Sequence, residues 1–259
     1  MTTLDHSALI KSAVSAVLEA SKLADAARAT QVLNTKGNLR DIVTQTDLDI
    51  SEMLSKSLGV TGLPVVSEEA DVPGGMTPAQ CWVIDPIDGT VNFAHGLPMF
   101  ALSAGLLDHG QFELGVVCAP ALDELYFTLN SERALLNGRP FSHTHRPREQ
   151  ALVAASFSAK GSAAQYELFE AVNESTRGCL RSGTAALNIC WAAAGKLQAA
   201  YGFNAKLWDV AGALAVARAA GCEIAVRWEP NTLTLDYCVG SAEAVQHVRS
   251  LAQSKGLWN

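Results

Sequence analysis

The 259-residue sequence lacks several features that would assign it to common functional classes. It has no run of about 18 apolar residues, the length that a membrane-spanning helix needs. Its first residues are polar and acidic, which is not typical of a secretion signal. It has no basic stripe, and its net charge of -7 argues against binding to a nucleic-acid backbone. We therefore expect a cytoplasmic protein that binds neither membranes nor nucleic acids.

The cysteines also lack the spacing of a zinc site or a disulfide framework. The six cysteines are scattered and include no CxxC pair. Without a secretion signal, such cysteines are expected to be reduced, buried thiols. Apolar residues make up 49% of the chain, which is enough for a sizeable core in one large domain or two lobes.

The most informative stretch is the segment 81–93, an apolar run that ends in two acids and a glycine. The apolar residues are typical of a buried strand. Pro86 is expected to end that strand, because proline has no backbone N–H to donate to a neighbouring strand. Asp85 and Asp88 are therefore predicted to lie together at a strand end.

Two acids this close call for a cation between them. At about 4 Å, two unit charges of like sign repel by roughly 4 kcal/mol in a partly screened environment. Oxygen ligands without a nearby Cys or His pattern favour Mg²⁺ or Mn²⁺ over zinc. A turn in which Asp85 and Asp88 cap their own backbone is the alternative. The spacing of the two acids excludes an Asp-x-Asp-Gly-Thr phosphatase with a covalent aspartate intermediate.

A second predicted strand, over residues 63–67, also ends in acids, Glu68 and Glu69. If the two strands are neighbours, Glu68 lies with Asp85 and Asp88 at one edge of a sheet. A solvated pair of surface acids is the alternative interpretation.

Two further aspartates lie at predicted helix starts. Thr44 and Asp47 have the spacing of a capping box that opens a helix over 47–58. Asp209 occupies the expected N-cap of a helix that ends at Gly221. Local capping explains either residue, but a carboxylate can cap a helix with one oxygen and bind a metal with the other.

The remaining pattern predicts a mixed α/β fold in two lobes. A polar stretch over 142–150 is the predicted boundary, which gives an N-terminal α+β lobe over 1–145 and a C-terminal α/β lobe over 146–259. A flexible loop is predicted over 35–41. Helices are predicted over 5–29, 164–172 and 185–194, and strands over 99–107, 113–118, 124–128 and 152–156.

Three motifs in this order resemble the inositol monophosphatase family of metal-dependent, lithium-sensitive phosphatases. They are Glu68-Glu69, Asp85-Pro-Ile-Asp-Gly-Thr-Val-Asn-Phe93 and Trp208-Asp209-Val-Ala-Gly212. The resemblance extends from Lys36 to Gly221. It implies a layered αβαβα sandwich of the sugar-phosphatase type, with helices between and outside two sheets, in a homodimer.

The resemblance also implies roles for individual residues. One metal would be held by Glu68, Asp85 and the Ile87 carbonyl, a second by Asp85, Asp88 and Asp209, and a weaker third position would lie near Lys36, Asp41 and Asp47. Glu68 and Thr90 would be catalytic, because they orient and deprotonate the attacking water. The substrate would contact Asp88, Gly89, Thr90, Gly183, Thr184, Ala185 and Asp209.

The implied activity is a phosphomonoesterase that uses two or three Mg²⁺ ions, or Mn²⁺, and acts on a small polyol or sugar phosphate. Inositol 1-phosphate is the first expectation. Family members that act on inositol have a substrate-binding glutamate where this chain has Gly202. Histidinol phosphate, fructose 1,6-bisphosphate and a nucleotide 3'-phosphate are therefore alternatives. Lys206 either contacts the leaving group or is an exposed loop lysine.

Two hypotheses come from other classes. The chain could be an interaction or regulatory protein with a vestigial site, although acids occupy every predicted carboxylate ligand position. A glycosidase that uses Glu68 and Glu69 is disfavoured, because adjacent strand residues point to opposite faces.

Overall fold

The computed structural model describes residues 5–27, 32–35, 42–72, 77–157, 161–229 and 232–258. Lys36, Asp41 and most of the loop predicted over 35–41 lie outside the described residues.

The described residues form α-helices and strands with the following bounds. The helices are α1 His6–Ala26, α2 Gln45–Gly59, α3 Thr90–Ala94, α4 Ala163–Ser175, α5 Ala185–Ala193, α6 Leu207–Ala219 and α7 Ala242–Ser254. The strands are β1 Val32–Thr35, β2 Ile42–Thr44, β3 Val65–Ser67, β4 Gln80–Asp88, β5 Ala101–Asp108, β6 Gln111–Ala119, β7 Glu124–Asn130, β8 Arg133–Leu136, β9 Arg139–Phe141, β10 Leu152–Ser156, β11 Gly178–Leu180, β12 Ala199–Lys206, β13 Glu223–Arg227 and β14 Thr234–Gly240.

These elements form five layers. A 7-stranded sheet has the order β3-β4-β5-β6-β7-β8-β9, a 5-stranded sheet has the order β11-β10-β12-β14-β13, and β1 pairs with β2. Apolar residues of α5 and α6 form one core between the two large sheets. Helices α1 and α2 cover the outer face of the first sheet, and α4 and α7 cover the second. The predicted αβαβα sandwich is confirmed.

Helix α6 packs so closely against the first sheet that the backbones of the two elements are in contact, because glycines face each other there. A Cβ added to Gly115 on β6 would lie 2.0 Å from the Gly212 carbonyl oxygen, and one added to Gly105 on β5 would lie 2.6 Å from the Gly212 nitrogen. Side chains therefore cannot separate α6 from β5 and β6. This contact fixes the position of Asp209 in the first turn of α6 relative to the strands.

Two local predictions were wrong. Strand β4 does not end at Pro86 but continues to Asp88, with a shift of register between Asp85 and Asp88. The irregular pairing accommodates the missing N–H of Pro86. Asp209 is not the N-cap of α6, because the helix already begins at Leu207 with Lys206 as its N-cap.

Two other local predictions, on the capping box and on the cysteines, agree with the structure. Thr44 and Asp47 form the expected capping box of α2. All six cysteines are free, and all but the partly exposed Cys222 are buried. In the described part of the chain, no helix has the length and apolar character to cross a membrane. The predicted boundary between lobes 1–145 and 146–259 stays a prediction.

Candidate metal centre

Three carboxylates from separate parts of the chain converge at one end of the fold. Glu68, Asp85 and Asp209 each place a carboxylate oxygen within 4.8 Å of the other two. Strands β3 and β4 are parallel, so that Glu68, just after β3, lies beside Asp85 near the end of β4. Asp209 comes from the first turn of α6.

The surroundings of this cluster disfavour the ionised form of its three carboxyl groups. Asp85 is buried, and its Oδ1 has no hydrogen-bond partner among the described residues. Burial raises the pKa of Asp85 well above its usual value, and the charges of Glu68 and then Asp88 raise it further. Burial likewise raises the pKa of Asp209 well above its usual value, with added repulsion from Asp88 and Glu68. An all-oxygen donor set with an unpartnered buried carboxylate oxygen fits a hard divalent cation.

Asp88 has a different set of contacts. Its carboxylate accepts hydrogen bonds from the Thr184 hydroxyl and from the backbone N–H groups of Ala186, at 2.7 Å, and Ala185, at 3.3 Å. Burial raises the pKa of Asp88 to about 6, although these hydrogen bonds act in the opposite direction. Asp88 is thus bound to the N-terminus of α5, next to the cluster of three, and its role as a metal ligand stays a prediction.

Thr90 lies at the start of α3 between two oxygen atoms. Its hydroxyl is 3.2 Å from Asp47 Oδ1 and 3.0 Å from the Ile87 carbonyl oxygen. The other Asp47 oxygen accepts a hydrogen bond of 2.9 Å from the Thr44 N–H. Burial raises the pKa of Asp47. Asp47, the N3 residue in the capping box of α2, therefore also contacts the residue predicted to orient water.

Two glycines shape the backbone around these side chains. Gly89 and Gly183 have φ angles of +94° and +88°, which other residues rarely adopt. The Asn92 amide donates hydrogen bonds to the carbonyl oxygens of Met99, at 2.7 Å, and Ser182, at 2.9 Å. Asn92 therefore holds the segment with Gly183 against the segment with Gly89. Sequence reasoning missed this role, although Asn92 lies inside the motif that carried the family resemblance.

Comparison with known proteins identifies related sequences and folds. A sequence model of the inositol monophosphatase family matches residues 5–255. A fructose-1,6-bisphosphatase/inositol-1-monophosphatase of Thermotoga maritima is 32% identical over 190 residues, which is 72% of each chain. Inositol monophosphatase 1 of Bos taurus is 32% identical over 199 residues, which is 72% of this chain and 71% of the bovine protein. The crystal structure of extragenic suppressor protein suhB from Bartonella henselae matches with a TM-score of 0.82 and 25% identity, over 95% of this chain and 98% of that one.

Proposed function

The chain belongs to the inositol monophosphatase family, and on this basis we propose that it is a Mg²⁺-dependent phosphomonoesterase that hydrolyses a small polyol or sugar phosphate. The observation that carries the proposal is the convergence of carboxylate oxygens of Glu68, Asp85 and Asp209 within 4.8 Å of one another, with one oxygen of Asp85 buried and without a hydrogen-bond partner among the described residues. Phosphate esters are anionic and repel carboxylates and anionic nucleophiles such as hydroxide, so their hydrolysis depends on added positive charge and on positioning.

The proposed metal ligands are Glu68, Asp85 and Asp209, joined by Asp88 and the Ile87 carbonyl. When bound, divalent cations supply positive charge to the phosphate ester and make a neighbouring water more acidic. The residues of the chain have the remaining roles: they orient the water, accept its proton and bind the phosphate. Thr90, in contact with Asp47, orients the attacking water, and Glu68 accepts its proton. The backbone N–H groups of Gly89 and Thr90 bind the phosphate oxygens.

Inositol 1-phosphate is the first substrate to test. Fructose 1,6-bisphosphate is the second candidate, because Gly202 offers no carboxylate to bind inositol hydroxyls and the Thermotoga maritima relative carries both activities in its name. Homodimer formation, inhibition by lithium and a cytoplasmic location are part of the same proposal.

A phosphate-release assay tests the proposal. The purified chain is mixed with Mg²⁺ and with inositol 1-phosphate, fructose 1,6-bisphosphate, histidinol phosphate or a nucleoside 3'-phosphate. We expect release from at least one of the first two esters, loss of release with a chelator, and recovery when Mg²⁺ is restored. Glu68→Gln should lower kcat at least about 100-fold, as expected for the loss of a general base. Glu69→Gln, the same chemical change one residue later, should retain most of the activity.

The outcomes separate the parts of the proposal. Full activity in the presence of a chelator would contradict the metal requirement. The absence of phosphate release from every ester would contradict the phosphatase function, and it would favour an interaction or regulatory role.

A further inference from the structure

The structure contains a groove that the proposed phosphatase site does not use. The groove has a volume of about 400 Å³ and lies between helix α6, the start of β6 and the edge strand β13. Leu214 and Arg218 of α6 line it, five and nine residues after Asp209. At a rise of about 1.5 Å per residue, they lie roughly 7 and 14 Å from Asp209 along the helix axis. The groove is therefore distinct from the carboxylate cluster.

The walls of the groove are apolar and partly aromatic. Phe112 of β6 and Trp228, just after β13, pack with their ring centres 5.5 Å apart and their planes 30° from parallel. Both side chains are half-buried and line the groove. Ile224 and Val226, from one face of β13, line it together with Leu214. Such a surface favours a flat apolar molecule, which packs against the rings and removes apolar surface from water.

The charge at the groove is already compensated. Among the described residues that line the groove, only Arg218 is charged. Its guanidinium donates hydrogen bonds to both carboxylate oxygens of Glu113, at 3.2 and 2.9 Å. Because this forked ion pair neutralises Arg218, an anionic ligand would have to compete with Glu113 for the guanidinium. A cationic ligand would meet the like charge of Arg218. The groove therefore favours an uncharged ligand.

The size of the groove fits a small molecule better than a protein partner. Its volume lies within the range of small-ligand pockets, which is about 300–1,000 Å³. Nine residues line it, whereas a stable protein interface takes about 20–30 residues from each partner.

We propose that this groove is a binding site for an uncharged aromatic small molecule, which lies against the rings of Phe112 and Trp228. The site is separate from the metal centre, so the inference does not depend on the proposed phosphatase function.

N-phenyl-1-naphthylamine and 8-anilino-1-naphthalenesulfonate provide a matched pair of probes, because they have the same aromatic rings and differ only in a sulfonate. Both dyes fluoresce more strongly in apolar surroundings. The protein is titrated into a fixed low concentration of each dye, and the two Kd values are compared. We expect the uncharged dye to bind with a Kd on the order of 10–100 μM. The sulfonated dye should bind about fivefold more weakly, because its charge competes with Glu113.

Substitutions test the contributions of the rings and of the charge. Trp228→Ala should weaken binding of the uncharged dye at least about tenfold, whereas Trp228→Phe, which keeps a ring, should stay within about threefold. Glu113→Gln removes the charge that compensates Arg218, so the sulfonated dye should then bind at least as tightly as the uncharged one. Glu132→Gln is the control for net charge, because Glu132 is exposed in a turn, and it should change neither Kd.

Cys222 reports the position of the dye in the wild-type chain. It lines the groove and is the only one of the six cysteines that is not buried. Burial raises the pKa of its thiol to about 12, so alkylation by N-ethylmaleimide is slow and is followed at about pH 9 by peptide mapping. The uncharged dye at saturation should slow this alkylation at least about threefold.

The wild-type measurements decide the question even if Trp228→Ala does not fold. The absence of saturable binding of the uncharged dye would overturn the inference, and so would binding that leaves the alkylation of Cys222 unchanged. Equal Kd values for the two dyes would overturn the preference for an uncharged ligand. A dimer that dissociates when the dye binds, detected by sedimentation velocity, would show that a second copy of the chain covers the groove and would also overturn the inference.

Discussion

The backbone N–H of Ala186 donates a hydrogen bond of 2.7 Å to the carboxylate of Asp88 and so joins the first sheet to helix α5. The Thr184 hydroxyl donates to the same carboxylate oxygen. Asp88 is therefore both a proposed metal ligand and the acceptor for the Ala185 and Ala186 N–H groups in the first turn of α5, which have no partner within the helix. Any change at this contact is expected to affect the site and the packing of α5 together.

Replacement of Thr184 by valine tests this double role. Thr184 donates to Asp88, and as the N-cap of α5 it accepts a hydrogen bond of 3.3 Å from the Leu187 N–H. Valine has a similar shape but makes neither bond. We expect Thr184→Val to lower the free energy of unfolding by about 1–2 kcal/mol, measured by urea denaturation. Thr184→Ser keeps both hydrogen bonds and should remain close to wild type. Equal stability of the two variants would show that the contact adds nothing to the fold.

The sequence predicted the parts of the site that depend on local signals. The capping box of Thr44 and Asp47 was predictable because its partners are three residues apart. The partners of Asp88 were not, because the Ala186 N–H lies 98 residues away in the chain. The burial of Asp88, which is only 7% exposed, was likewise not predictable from its position at a strand end. No local rule indicates which helix N-terminus will contact a carboxylate on a strand that is distant in sequence.

Errors at Pro86 and Asp209 have a similar origin. The missing N–H of proline predicts a strand end, but a shift of register in β4 allows the pairing to resume at Asp88. An aspartate before an apolar helical run predicts an N-cap, but α6 begins three residues earlier, at Leu207, which is buried in the core between the sheets. The fold class was predictable because it depends on the periodicity of apolar residues. The convergence of Glu68, Asp85 and Asp209 was predictable because these residues lie in the three motifs that carry the family resemblance.

Replacement of Asp85 by asparagine should separate stability from activity. Its Oδ1 is buried and has no hydrogen-bond partner in the described part of the chain, and burial and neighbouring acids oppose its negative charge. In the presence of a chelator, Asp85→Asn should raise the melting temperature, because it removes an uncompensated buried charge. With Mg²⁺, the variant should show neither the stabilisation by metal nor the phosphate release expected of the wild type. A lower melting temperature than wild type in chelator would contradict this account.

The metal-free protein should become less stable as the pH rises. Burial raises the pKa of Asp88 to about 6 and also raises the pKa values of Asp85 and Asp209. The folded chain therefore holds more protons than the unfolded chain above the usual carboxyl pKa, so its free energy of unfolding falls as the pH rises through about 6. Thermal unfolding in chelator between about pH 5 and about pH 8 measures this slope.

The stabilisation of the fold by Mg²⁺ should increase as the pH rises, because protons compete with the cation for the same oxygens. The rise in melting temperature that Mg²⁺ causes should therefore be larger at about pH 8 than at about pH 6. A stabilisation by Mg²⁺ that does not change with pH would place the ion away from these carboxylates.

The glycine contact between α6 and the first sheet should be required for the site. A Cβ at Gly115 would lie 2.0 Å from the Gly212 carbonyl oxygen, so alanine there must push α6 and Asp209 away from β6. Overpacking of this kind destabilises by about 1–3 kcal/mol. We expect Gly115→Ala to lower both the free energy of unfolding and kcat. The matched control is Gly59→Ala, because a Cβ at Gly59 meets nothing within 4 Å. Full activity of Gly115→Ala in its folded state would show that the position of α6 can relax without displacing Asp209 from Glu68 and Asp85.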